Sequence, residues 1–357
     1  MLKLFSVVAL ALLAPVLCAD SIGYYSAKEV KWDNNVEITA WSWSKVDYTD
    51  AGKAKTVARK DVVAISRSSD PGSMSSELSS AIGNLANDPQ GAIEQLDAES
   101  KSGSALNKEE AKFRMAAFFA ANANSKNAKF AADKLREYIS AYKDGYFLGE
   151  AYTLLGRMNI LGRDNEGARA TYKEMVRLGS PYDAKAHQAR GELELLVAGK
   201  FEEALAAFRD ASKAAGADKP LKAKADAYAS WALVALKKFD DAKALAEPIT
   251  KDDSLEDGNS TDDEAALAIA YRVVGDCFID GSQAFEKGYD AHMLAAYYAW
   301  WVGGTTEGYS LGQAYFAAMK LASTDEKFKT RAEKLRSALE SGYPAEFKKV
   351  SDKLKGG

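Results

Sequence analysis

Hydrophobic and polar residues follow two different periods along the chain. Between residues 36 and 67 they alternate in short runs, as in VEIT at 36–39, and a period of two is typical of half-buried β-strands. From residue 74 onward apolar residues recur every three or four positions, which is the period of amphipathic α-helices. The pattern therefore predicts a small β module followed by a long helical region.

The β module contains several short runs with strand character. Asp50, Ala51 and Gly52 separate two of these runs and supply the chemistry of a tight hairpin turn. Short strands that follow one another this closely predict a small, strongly curved sheet or barrel. The predicted strands lie at 36–40, 45–49, 54–58 and 62–67.

Three tryptophans, Trp32, Trp41 and Trp43, are concentrated in the β module. One interpretation is that a module this small needs large side chains to fill its core. The alternative is a docking patch for a partner, because Trp41 and Trp43 have the opposite strand parity to Val36 and Ile38.

Breaker and capping residues divide the helical region into paired helices. Asp88-Pro89 predicts a helix start, with Asp as N-cap and Pro at the first helical position. Asn107 with Glu110, and Thr261 with Glu264, predict capping boxes. The predicted pairs are 74–86 with 89–101, 108–123 with 127–142, 148–162 with 165–179, 183–198 with 201–215, 220–237 with 239–250, 263–280 with 284–302, and 306–322 with 325–340.

The stretch from Leu148 to Ala215 repeats its own pattern. Ala168 and Ala204 lie one 36-residue step apart, with large apolar residues between the small ones. Self-similarity at this period predicts stacked helical hairpins, because a single hairpin cannot bury its apolar face alone.

The residues of this stretch resemble the tetratricopeptide repeat (TPR) family. The β module, with a hairpin, a Gly-Lys pair and a last strand at 62–67, resembles the SH3-like or Sm-like modules that precede helical repeats in some exported bacterial proteins. The resemblance implies a β module at 20–69 and, at 70–357, an α-solenoid of about seven hairpins that binds protein partners. The residues that match the TPR pattern are Tyr152, Leu155, Gly156, Ala168, Tyr172 and Pro181.

The TPR resemblance also implies a partner-binding groove lined by the first helices of successive hairpins. Trp231 is its candidate anchor for an extended acidic or aromatic peptide, with Arg157 and Arg272 on either side. The alternative is that Trp231 only packs one helix against another. The groove positions carried onto this chain are Thr153, Arg157, Leu193, Trp231, Arg272 and Asp276.

A second concentration of aromatic residues lies at 297–301, with the sequence YYAWW. Four aromatic residues in five positions cover more than one face of a helix. They either pack against the last hairpin or form a docking patch for another subunit. These residues are Tyr297, Tyr298, Trp300 and Trp301.

Composition describes an ordinary folded protein. The 357 residues are 47% hydrophobic and 27% charged, with a formal net charge of −4, and no basic stripe marks a nucleic-acid partner.

Residues 1–19 have the pattern of a secretory signal, with Lys3, an apolar run at 4–14, Pro15 and Ala19. This run is shorter than the roughly 20 apolar residues of a membrane span. A lipoprotein anchored at Cys18 is the alternative.

The sequence contains few residues and motifs that are typical of catalytic sites. Only two histidines are present, and neither a Gly-rich phosphate loop nor a nucleophile motif occurs, so we expect no enzyme activity and no cofactor. The loop at 253–264 places Asp253, Asp257 and Glu264 at positions typical of a calcium site, but Leu255 stands where an oxygen ligand belongs.

Together these features predict an exported, non-enzymatic TPR scaffold or adaptor of the periplasm, cell envelope or exterior, with a protein or peptide as its partner. The alternative is a structural subunit that assembles into a filament or lattice, through the β module or the aromatic patch at 297–301.

Overall fold

A computed structural model describes residues 20–26, 29–68, 74–256, 261–302 and 305–356. These residues form a five-stranded antiparallel sheet followed by fifteen α-helices, so the fold is mainly α, with TPR-like hairpins after a small β module. The chain divides into two compact units, Met1–Leu178 and Gly179–Gly357. The predicted signal at 1–19, including Cys18, lies outside the described residues, as do positions 69 and 70, where we placed the domain boundary.

The sheet of the first unit has the strand order β4-β3-β2-β1-β5. Ala51 and Gly52 form the predicted tight turn between β3 and β4, with φ of 47° and 79°, as a type I′ hairpin turn requires. The first strand was not predicted from the sequence. The strands are β1 Asp20–Ser26, β2 Glu29–Trp41, β3 Lys45–Asp50, β4 Lys53–Ala58 and β5 Val62–Ser66.

A β-bulge in β2 places Trp41 in the core, as the first of the two interpretations expected, although strand parity had suggested the docking patch. Ile38 pairs with Tyr48, but the next pair is Ala40 with Asp47, so one extra residue is inserted in β2. An inserted residue moves later side chains to the other face of the strand. Trp41 therefore joins Val36 and Ile38 in the core and is only 9% exposed.

Trp41 connects the sheet to the helical part of the first unit through a hydrogen bond and a ring contact. Its Nε1 donates to buried Glu109 at 2.9 Å, and its ring stacks on Tyr146 with centroids 5.0 Å apart. Arg67, at the end of the sheet, forms a buried ion pair with Glu110 at 3.0 Å. Strands and helices consequently share one hydrophobic core.

Six helices complete the first unit as three hairpins. Asp88 caps α2 by accepting from the Gly91 N–H, with Pro89 at the first position, as predicted. The cap of α3 is Ser104, so the capping box predicted at Asn107 is wrong. The helices are α1 Ser76–Asn84, α2 Pro89–Ser102, α3 Ala105–Ala121, α4 Ala128–Ala141, α5 Leu148–Leu161 and α6 Asn165–Val176.

The second unit contains four hairpins and a final helix that was not predicted as a separate element. Helices α7 and α11 continue into π-helical turns at Leu193–Ala198 and Cys277–Gly281. The helices are α7 Tyr182–Glu192, α8 Phe201–Ala215, α9 Lys219–Ala235, α10 Phe239–Ala246, α11 Thr261–Asp276, α12 Phe285–Val302, α13 Thr306–Leu321, α14 Glu326–Gly342 and α15 Pro344–Gly356.

A glycine on the first helix of a hairpin lets an aromatic ring of the second helix approach closely. A Cβ at Gly191 would lie 2.5 Å from the Phe208 ring, and a Cβ at Gly275 would lie 2.6 Å from the His292 ring. Both distances are shorter than a Cβ tolerates, so only glycine allows this contact. His292 thus occupies, in the sixth hairpin, the position that Phe208 occupies in the fourth.

Candidate partner-binding surface

Arg272 on α11 lies between two aromatic rings from neighbouring first helices. Its guanidinium carbon is 3.8 Å from the ring centroid of Trp231 on α9 and 3.9 Å from that of Tyr309 on α13. The residue is only 7% exposed, and cation–π contacts strengthen when water is excluded. One cation therefore joins three successive first helices.

Asp276, one turn beyond Arg272, supplies the negative charge of the same cluster. It accepts a hydrogen bond from the Tyr309 hydroxyl at 2.8 Å, and its carboxylate lies 3.4 Å from His292 Nε2 and 3.8 Å from Arg272 Nε. The carboxylate is 2% exposed, so the partners must compensate for lost hydration. We call Trp231, Arg272, Asp276, His292 and Tyr309 the Arg272 cluster.

Two pKa values in the cluster are shifted in opposite directions. Burial opposes ionisation of Asp276, but His292, Arg272 and the Tyr309 hydroxyl outweigh it and hold the pKa of this carboxyl below its ordinary value. Burial, and then the charge of Asp276, raise the pKa of Tyr309. Asp276 is therefore an ionised carboxylate beside the Tyr309 hydroxyl and the Arg272 guanidinium, and Tyr309 keeps its proton.

The rings of the cluster are partly exposed, whereas its charges are buried. Trp231 and Tyr309 are both half-buried, and Arg272, Asp276 and His292 are buried. Part of each ring surface is consequently accessible, and the ion pair is not. The two interpretations of Trp231 are compatible, because the ring packs on Arg272 and still exposes part of its surface.

The other predicted groove residues do not belong to this cluster. Leu193 is 1% exposed at the start of a π-helical turn, so it belongs to the packed interior. Thr153 and Arg157 lie on α5 of the first unit, where the Thr153 hydroxyl donates to the Gly149 carbonyl at 2.9 Å and Arg157 is exposed.

Sequence reasoning missed His292 and Tyr309 as members of the cluster. A signal for His292 existed, because Gly191 precedes Phe208 by the same 17 positions that separate Gly275 from His292. The seventh hairpin departs from the repeat pattern, so Tyr309 could not be aligned with a groove position.

The aromatic residues at 297–301 divide between the core and the surface. Tyr297, Trp300 and Trp301 are 59%, 62% and 52% exposed. Tyr298 is half-buried and stacks on Tyr271, with ring centroids 5.7 Å apart. Leu294, Tyr297 and Trp301 have the i, i+3, i+7 spacing of one helix face, and with Trp300 we call them the α12 stripe.

In the β module, the exposed tryptophan is Trp32 rather than Trp41. Trp43 lies half-buried in the bend after β2, and its backbone N–H donates to the Asp144 carbonyl at 3.4 Å. Trp32 is 48% exposed and lies near Tyr25 and Val30 on the outer face of the sheet. Trp41 is buried, so it cannot belong to the docking patch that was the alternative interpretation of Trp41 and Trp43.

Metal binding gains no support in the part of the chain that the structure describes. Within it, no group of three acidic, His or Cys side chains is arranged to hold a metal ion. Asp253 lies in a short 3₁₀ turn and Glu264 in the first turn of α11, and Asp257 lies outside the described residues. Asp263 is buried, and burial raises its pKa, as do the neighbouring carboxylates.

Cys277 shows no sign of thiol chemistry. It is buried in the core of the second unit, and burial raises its pKa to about 12, so the reactive thiolate is suppressed at neutral pH.

Membrane-spanning character is absent from the helices that the structure describes. None of these helices is both long and apolar enough to cross a bilayer.

Several solved structures resemble this fold. A STAND protein (Signal Transduction ATPase with Numerous Domains) with a tetratricopeptide repeat sensor, from Pyrococcus horikoshii, is 17% identical with a TM-score of 0.57. That similarity covers 78% of this chain but only 43% of the STAND protein. The apo form of the quorum sensor NprR from B. thuringiensis is 11% identical with a TM-score of 0.50, over 77% of this chain and 79% of NprR.

A third structure, of Pseudomonas aeruginosa PilF, is 14% identical with a TM-score of 0.48, over 70% of this chain and all of PilF. No protein family and no curated protein matches the sequence. At these identities the similarity establishes the fold alone, which is that of tetratricopeptide-type helical hairpins. In this chain the hairpins follow a small β module in sequence.

Proposed function

We propose that this chain is a non-enzymatic scaffold or adaptor that binds a protein or peptide through the Arg272 cluster. The observation that carries the proposal is the half-buried Trp231 and Tyr309 pair, held on either side of Arg272. Rigid aromatic side chains that keep part of their surface exposed are typical anchors of protein interfaces. Because the rings are positioned before binding, these side chains lose little conformational entropy when a partner binds.

The test of this proposal is capture of a partner from an envelope extract. The Trp231→Ala chain should lose the partner that the wild-type chain captures, whereas Trp300→Ala, which removes an exposed ring elsewhere in the same unit, should keep it. Circular dichroism must show equal helix content in both variants. Undiminished capture by Trp231→Ala, or a loss explained by unfolding, contradicts the proposal.

Export to the periplasm, the cell envelope or the exterior is part of this proposal, and it is supported by the pattern of residues 1–19. Expression in a bacterium, followed by N-terminal sequencing of the periplasmic product, should give a chain that begins near residue 20. A lipid-modified Cys18 at the new terminus would support the lipoprotein alternative instead.

The β module is proposed to be of the SH3-like type. The support is its strand order, β4-β3-β2-β1-β5, together with the single 3₁₀ turn at Arg59–Asp61 that links β4 to β5.

Self-assembly is the second candidate function, and the α12 stripe favours it. Three aromatic rings that are more than half exposed on one helix form a larger apolar patch than isolated surface residues do. Sedimentation of the purified chain should show species that grow with concentration, and Trp300→Ser with Trp301→Ser should abolish that growth. A chain that stays monomeric at every concentration contradicts this candidate.

A further inference from the structure

A second surface of the second unit lies between α8 and α10, above α9. It is an open groove of about 710 Å³, a volume within the range of about 300–1,000 Å³ that ligand sites occupy. Ala229 and Leu233 of α9 line its bottom but are only 1% and 3% exposed. The accessible apolar surface of the groove is therefore Ala244 and Leu245 of α10. We call this surface the α8–α10 groove.

Helix α10, which forms one wall of the groove, is short. It has 8 residues, whereas α9 has 17, so α10 covers only about half the length of its partner helix. After α10 the chain continues into short 3₁₀ turns at Ile249–Lys251 and Asp253–Leu255.

The α8 wall of the groove is positively charged and unneutralised. Arg209 and Lys213 are exposed, line the groove and stand one helical turn apart. Among the described residues, neither has an ion-pair partner. Like charges at this spacing slightly destabilise a helix. An anionic partner would therefore relieve the repulsion between Arg209 and Lys213.

The other charges of the groove set the direction of a bound partner. Lys222 is already occupied, because its Nζ lies 2.7 Å from Asp226 and 3.3 Å from the Ser212 hydroxyl. Asp241 lines the α10 wall and repels acidic groups from that side. An acidic partner is therefore drawn towards Arg209 and Lys213.

We propose that the α8–α10 groove binds a short acidic peptide segment of a partner protein, with an apolar side chain against Leu245 and carboxylates against Arg209 and Lys213. The lining contains no aromatic ring on which a base could stack, and stacking platforms are typical of single-stranded nucleic-acid sites. The mixed apolar and cationic lining instead complements a peptide that carries both residue types. This second site is independent of the Arg272 cluster.

Selection from a phage-displayed library of random dodecapeptides on the folded chain tests this site. Selected peptides should combine Asp or Glu with Leu, Ile or Phe. Arg209→Glu with Lys213→Glu should weaken their binding by about tenfold, as expected for two reversed surface charge pairs. Trp231→Ala should leave it unchanged, which separates this site from the proposed adaptor surface.

The matched control is Lys185→Glu with Lys334→Glu, the same charge change at two exposed lysines of the second unit that line no part of the groove. It should bind the selected peptides as the wild-type chain does. An oligo-glutamate peptide without apolar residues should bind more weakly than they do. Failure of any peptide to be enriched, equal weakening by both double variants, or equally tight binding of oligo-glutamate overturns the proposal.

Discussion

Arg272 illustrates how this chain keeps a charge in its interior. The guanidinium loses water but gains two ring faces and lies one turn from the carboxylate of Asp276. Removing only one of the two charged side chains lowers the stability of the fold, because the remaining charge stays buried without a partner.

Arg272→Leu should therefore destabilise the second unit by about 3–5 kcal/mol, as expected when one partner of a buried ion pair is removed. Urea unfolding of the full chain measures this loss. Lys334→Leu, a similar substitution at an exposed site, should change the unfolding free energy by less than about 0.5 kcal/mol. Equal effects of the two substitutions would show that the cluster does not stabilise the fold.

Asp276 should make the second unit sensitive to acid. Its pKa in the fold lies below the ordinary 3.8, so its ionised form stabilises the fold above that pH, and the contribution is lost as the pH falls through the lowered pKa. Urea titrations from about pH 6 downward should show a shallower loss of stability in Asp276→Asn than in the wild-type chain. Parallel pH profiles contradict this role.

Glu109 in the first unit should have the opposite pH dependence. Burial raises its pKa above the ordinary 4.5, although Tyr138, Trp41 and the Tyr146 N–H donate hydrogen bonds that act in the other direction. Its contribution to stability is therefore complete below pH 4.5 and is lost as the pH rises through the raised pKa. Glu109→Gln should flatten this part of the pH profile in urea titrations, and an unchanged slope is the contrary result.

Only part of the Arg272 cluster follows from sequence. The repeat pattern placed Trp231, Arg272 and Asp276 on first helices, and the structure brings them into contact. It could not reveal that Arg272 and Asp276 are buried, because their burial depends on the Tyr309 ring from a hairpin that lacks the pattern. Their role in binding a partner stays a prediction.

At the scale of single elements, the hairpins depend on close contacts between a glycine and a ring. Gly275→Ala should destabilise the sixth hairpin by about 1–3 kcal/mol, the usual cost of overpacking, because its Cβ would lie within 2.6 Å of His292. Thermal unfolding measures the loss. In the double variant with His292→Ala the two effects should not add, and simple additivity would contradict the contact.

Helix positions were easier to predict than strand faces. The pair 148–162 and 165–179 agrees with α5 and α6 to within three residues, since breakers and apolar periodicity are local signals. The face of Trp41 could not be predicted, because a bulge in β2 depends on pairing with β3. The true cap of α3, Ser104, was missed because Asn107 and Glu110 imitate a capping box.

At the scale of the whole molecule, each unit combines regular hairpins with irregular features. In the first unit such a feature is the β module, which shares a core with helices α3 to α5. In the second unit one such feature is the short α10, which forms one wall of the α8–α10 groove. The regular parts identify the fold.

The central claim is that the Arg272 cluster binds a different protein. Photo-crosslinking tests it most directly, with a benzophenone amino acid in place of Trp231 and, as a control, in place of Lys334. We predict adducts with a different protein from position 231 and none from position 334. Adducts only with a second copy of this chain, or equal adducts from both positions, would contradict the claim.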